Sequence, residues 1–265
     1  MRPAPKSVTT PFSAVRRPVN LGSPARWLVR GWSDLRRNPL PGLFHGFLLT
    51  AFGALLLWVA GDKFWLLAGA FSGFLIVAPI LATGLYQVSR ALESGRRVGM
   101  AEVVSLWRSR DRRLVIFGLL LGLAGTGWVL TSAGLITLWS PLPIQNPADF
   151  LRLVVLVREV GLFEAWLLLG ALLAAPVFAS TVVALPMLVD TQASVMGALK
   201  ESWRAVANHP GPMVVWAVLI VLLVGLGMAT ALLGLIVIVP LIAHASWHAY
   251  CDLTSQVADD APAAC

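Results

Sequence analysis

Charge is scarce in this chain. Lys, Arg, Asp and Glu make up 12% of its 265 residues, against about a quarter in a soluble domain, and the mean hydropathy is +0.80. So little charge excludes a water-soluble fold. Cysteine is nearly missing: Cys251 and Cys265 are too few for a disulfide framework and fit a reducing compartment. Residues 1–25 are rich in Pro and Arg but lack the apolar stretch of a cleavable signal, and read as a disordered basic tail. The last residues, Ala-Ala-Cys, do not have the form of a prenylation signal. HExxH, Cys-x-x-Cys, a Gly-rich phosphate loop and a Ser/His/Asp arrangement are all missing, so the expectation is a protein that is not an enzyme and holds no cofactor.

Long apolar runs are what the sequence has in abundance. Each exceeds or approaches the roughly 20 residues that cross hydrocarbon as a helix. They lie near 40–60, 64–89, 114–138, 165–189, 212–229 and 231–249, within a domain spanning 26–252 and followed by a short tail over 253–265. The break near Thr230 is placed between Gly227 and Gly234, where small residues permit a close turn. The fold class expected is all-α, a six-helix transmembrane bundle.

Positive charge near span ends stays on the cytoplasmic side. Of 20 Lys and Arg, eight precede the first run, seven lie from Arg90 to Arg113, and Lys200 and Arg204 lie between the fourth and fifth runs; only Lys63, Arg152 and Arg158 lie opposite. A multi-pass protein of the bacterial inner membrane with both termini cytoplasmic is therefore expected. The net charge of +7 thus follows membrane orientation, and nucleic acid is not an expected partner. Membrane lipids are, together with a second membrane protein. On the outer side, Asn146-Pro147-Ala148-Asp149 reads as an N-cap with Pro at the first helical position, opening an extra interfacial helix.

An internal repeat runs through the chain. Trp32 precedes Pro39 and Pro41 by the same spacings at which Trp203 precedes Pro210 and Pro212, and Ala101 to Arg112 around Trp107 is a weaker copy without prolines. Each copy reads as a polar elbow helix leading into a helical hairpin, and each hairpin's second helix carries a proline: Pro79, Pro176 and Pro240. Three elbow-plus-hairpin repeats in one orientation are expected. The three prolines are hinge candidates, with packing kinks as the plainer reading.

The segments Trp27-Leu28-Val29-Arg30-Gly31-Trp32-Ser33-Asp34-Leu35, Leu185-Pro186-Met187-Leu188-Val189-Asp190, and the run from Pro240 through His244, Trp247 and His248 to Tyr250 resemble the bacterial integral-membrane family catalogued as domain-of-unknown-function 2189. In that family a basic residue commonly follows the tyrosine, where this chain has Cys251. The resemblance implies an inner-membrane protein and brings no activity with it.

His244 and His248 share a helical face, and with His45 they are the candidates for a metal or haem site; hydrogen bonding to elbow helices is the alternative. Asp34 is expected to pair with Arg30 or Arg37 and Glu201 with Arg204, at helical spacing; a pair such as Asp190 and Asp252 could in principle act as acid and base, but a solvated-face role without catalysis is the expectation. Gly69 with Gly73, and Gly118 with Gly122, are read as internal packing positions. The leading functional expectation is a noncatalytic accessory or assembly component of a membrane complex. A transport or lipid-handling protein with a cavity between repeats is the second, and haem or metal binding at the histidines the third.

Overall fold

The computed structural model describes residues 18–60, 82–108, 111–140, 142, 144, 147–156 and 161–254, and every regular element among them is helical. Five described helices are long and apolar enough to cross a membrane: Pro39–Trp58, Arg112–Trp139, Leu162–Asp190, Pro210–Ala229 and Leu235–Thr254. The run expected near 64–89 lies largely outside the described residues, as do Pro79, Gly69 and Gly73.

Helix α1 covers Ser23–Arg37 and α2 covers Pro39–Ala60. Their junction is the elbow expected from the sequence, because a proline fits the first helical turn but ends the helix before it. The same junction recurs at Val195–Asn208 (α9) and Pro210–Ala229 (α10), with His209 between them. After α3 (Thr83–Glu93), α4 (Met100–Arg108) leads into α5 (Arg112–Trp139), capped by the Asp111 side chain on the Arg113 amide. After α5, Pro147–Phe150 forms a short helix, α6, that continues as a π-turn over Leu151–Val155, and Pro147 opens it as expected. α10 and α11 (Leu235–Thr254) are separated at Thr230 to Gly234, where Ala231 and Leu232 take positive φ.

The fourth run is broken into α7 (Leu162–Thr181) and α8 (Ala184–Asp190). Ser202 of α9 serves the break, donating to the Ala179 carbonyl at 2.6 Å and accepting the Val183 amide at 3.1 Å. Pro176 lies within α7 and is exposed; Pro240 lies within α11 and is buried. Arg113 closes the far end of α8 by donating to the carbonyls of Leu188, Thr191 and Ala193 while it pairs with Asp111 at 2.7 Å. Arg113→Ala strips charge-assisted bonds from three carbonyls, and a loss of about 2 kcal/mol is expected, read as a lower melting temperature in detergent.

Packing is densest at the arginine-rich end. Trp27, Trp216, Trp247 and Tyr250 are fully buried there, with Trp27 edge-on to Trp216 at 5.7 Å. The core is built around α11, which packs against α1, α2 and α3. Gly31 makes the α1 contact possible: a Cβ there would stand 2.6 Å from the Ala245 amide nitrogen. At Gly46, a Cβ would collide with the Ile236 carbonyl. Gly122 departs from its expected packing role, since a Cβ added to it meets nothing within 4 Å.

Candidate functional site

Four carboxylates and two histidines meet where α1, α3, α8 and α11 end together. Asp34 is the centre. It is 4% exposed on α1, and its Oδ2 accepts from Ser89 Oγ and from His248 Nε2, both at 2.8 Å. Ser89 Oγ also lies 2.7 Å from His244 Nδ1. A serine hydroxyl has one proton, and an ionised Asp34 can only accept, so Ser89 donates to Asp34 and accepts from His244 Nδ1–H. The carboxylate thereby fixes the His244 tautomer through the serine, as a second partner normally fixes an imidazole. His244 Nε2, fully buried, has no hydrogen-bond partner among the described residues.

His248 is held from both sides. Its Nε2–H donates to Asp34, while Glu93 Oε1 stands 3.4 Å from its Nδ1, too poorly aimed for a hydrogen bond. The other Glu93 oxygen accepts from Trp247 Nε1 at 3.0 Å. Burial raises the Asp34 carboxyl, but hydrogen bonds from His248 and Ser89, with the charge of the neighbouring histidines, outweigh it and hold the group below its ordinary 3.8.

Two further latches flank this centre. Asp252 pairs with Arg30 at 2.5 Å and accepts from Trp27 Nε1 at 2.8 Å, fastening α1 to α11, while Arg30 also reaches the His248 carbonyl. Asp190 pairs with Arg90 at 3.0 Å and accepts from the Tyr250 hydroxyl at 2.9 Å, joining α8, α3 and α11. The two aspartates thus hold separate partners. Asp34 corrects the sequence reading too, because its partners are Ser89 and His248 while Arg30 goes to Asp252. Glu201 does pair with Arg204, at 3.0 Å.

The three candidate histidines are all buried at this end. His45 donates from Nδ1 to the Pro41 carbonyl at 2.7 Å. Among the described residues no group of three or more His, Cys, Asp and Glu side chains is disposed to hold a metal ion. Pro240 packs at the α2 contact, its Cβ 3.1 Å from where a Cβ on Gly42 would be. Ser89 was not singled out in the sequence, although its four-residue spacing to Glu93 on α3 matches that of His244 and His248 on α11.

Residues 66–190 match a family model described as "Predicted integral membrane protein (DUF2189)", the family that the sequence resembles. The Leu185 to Asp190 segment lies inside the matched residues, whereas the Trp27 and Pro240 segments lie outside them. No curated protein and no solved structure matches the chain.

Proposed function

We propose that this multi-pass integral membrane protein, matched over residues 66–190 to that family, is a noncatalytic accessory or assembly component of a bacterial inner-membrane complex. Six spans, both termini in the cytoplasm and three elbow-plus-hairpin repeats belong to the same reading. Each elbow packs against the second helix of a hairpin. α4 lies against α3, α9 against α7 and α8, and α1, which has no hairpin before it, against α11 at the other end of the chain. That order supports three units closing into a ring about the membrane normal.

The observation that carries the accessory role is the outward surface of α5. Leu119, Leu123 and Leu130 form a ridge at 70, 71 and 67% exposure, flanked by small residues on either side. One line is Gly122, Thr126, Ala133 and Thr137; the other is Gly127, Thr131 and Gly134. A Cβ on Gly122, Gly127 or Gly134 would touch nothing within 4 Å. The threonine hydroxyls are spent on carbonyls of their own helix, which leaves a smooth surface with no dangling donors. Small residues that let backbones approach are what helix association in lipid relies on. Meanwhile the carboxylates Asp34, Glu93, Asp190 and Asp252 are bound to structural partners, which argues against a catalytic role for them.

Native mass spectrometry of the protein excised with its surrounding membrane, with metal analysis and an absorption spectrum of the same sample, tests this. A second membrane polypeptide at fixed stoichiometry is the expected result. The chain alone with a stoichiometric solute would replace the accessory role with transport. Haem or metal that disappears in His244→Ala and His248→Ala would replace it with a cofactor site.

A further inference from the structure

Arg36 and Arg37 form the last turn of α1, and Arg96 and Arg97 follow α3; all four side chains are exposed. One hydrogen bond brings the pairs together. Asn38, next after Arg37, donates from Nδ2 to the carbonyl of Val98, next after Arg97, at 2.8 Å across a separation of 60 residues. Val98 is buried, so this junction is anchored. On the α3 side the chain turns through a Schellman closure: Arg96 N–H donates to Ala91 at 2.9 Å, Gly95 N–H to Leu92 at 3.0 Å, and Gly95 has φ +75. Arg96 and Arg97 therefore leave a defined turn.

These four guanidinium groups make no ion pair among the described residues. Four carboxylates of this end are already occupied, Asp34 by Ser89 and His248, Glu93 by Trp247, Asp190 by Arg90 and Asp252 by Arg30. Four such charges held close together repel one another unless an anion joins them, and the planar fork of arginine matches phosphate oxygens two at a time. Directly beyond Arg37 the outer face of α2 is apolar and open, with Leu40, Leu43, Phe44 and Phe47 at 68, 37, 42 and 56% exposure.

We infer that the Arg36–Arg37 and Arg96–Arg97 pairs bind the headgroup of an anionic phospholipid, its acyl chains lying along Leu40, Leu43, Phe44 and Phe47 of α2. Two arginine pairs fit a lipid with two phosphates better than one with a single phosphate. A cluster of basic residues at the ends of membrane helices is a known kind of headgroup site. The site does not depend on the accessory role or on α5.

The test uses the full chain, delipidated in detergent and titrated by native mass spectrometry with tetraoleoyl cardiolipin, dioleoyl phosphatidylglycerol, dioleoyl phosphatidylcholine or inorganic phosphate. Cardiolipin should bind at least about tenfold more tightly than phosphatidylcholine. The Arg96→Gln/Arg97→Gln variant should lose about tenfold in cardiolipin affinity, and adding Arg36→Gln/Arg37→Gln should abolish the preference. Arg204→Gln, which removes a paired arginine, should change nothing. Equal binding of phosphatidylcholine, or full cardiolipin affinity in the Arg96→Gln/Arg97→Gln variant, would overturn the site. Displacement of cardiolipin by inorganic phosphate at comparable concentration would overturn the lipid assignment and leave a free-anion site. The Arg96→Gln/Arg97→Gln variant changes only exposed side chains, so it reports on binding even if the fourfold variant is unstable.

Discussion

Asp34→Ala should be the most destabilising single change in the polar end, costing about 3–5 kcal/mol, the penalty for removing one partner of a buried charged pair. The substitution leaves the His248 Nε2–H and the Ser89 hydroxyl buried without their acceptor and removes the polar links that Asp34 makes from α1 to α3 and α11. A large fall in melting temperature in detergent is the expected reading. Asp34→Asn keeps an acceptor oxygen and the shape, and should cost about 1–2 kcal/mol. The two variants also differ in their response to acid. Because the folded-state value for Asp34 is depressed, its contribution is complete above the ordinary 3.8 and is lost as pH falls through the lower folded value. The wild type should therefore lose stability more steeply below about pH 4 than Asp34→Asn does. Superimposable acid limbs would remove Asp34 from the centre of the network.

Gly46→Ala and Gly31→Ala should each disrupt the α11 contact by adding one methyl group. The new Cβ would meet backbone in both cases, the Ile236 carbonyl or the Ala245 amide, and backbone cannot rotate away as a side chain can. Overpacking costs about 1–3 kcal/mol even where side chains give way, so these two should reach or exceed the upper end. Gly122→Ala, with nothing within 4 Å, should leave the melting temperature unchanged. A Gly122→Ala variant as unstable as Gly46→Ala would contradict the packing described for α2 and α5.

Five of the spans, the elbows before Pro39 and Pro210 and the turn after Thr230 were legible in the sequence because each depends on neighbours a few positions away. Proline at Pro39 and Pro210 ends one helix and opens the next wherever the rest of the chain goes. The polar network was not legible for the opposite reason. Asp34 has arginines at helical spacing on its own helix, and local reasoning pairs them, but its partners come from 55 and 214 residues away. Burial decides the contest: on a face packed against α11, Asp34 meets Ser89 and His248, while Arg30 reaches past it to Asp252. Glycine shows the same limit. A G-x-x-x-G pattern drew attention to Gly122, which faces outward, whereas Gly31, Gly42 and Gly46 touch α11.

The central proposal is that α5 presents its outer surface to another membrane polypeptide. The most direct measurement places a photoreactive phenylalanine at Gly122, Thr126 or Gly134, one position at a time, and irradiates intact cells. A comparison position is Leu222 on α10, which is 63% exposed. A discrete adduct to one different membrane protein from the α5 positions, with none from Leu222, is the result expected. Adducts to lipid alone, or to a second copy of this chain, would contradict the accessory role.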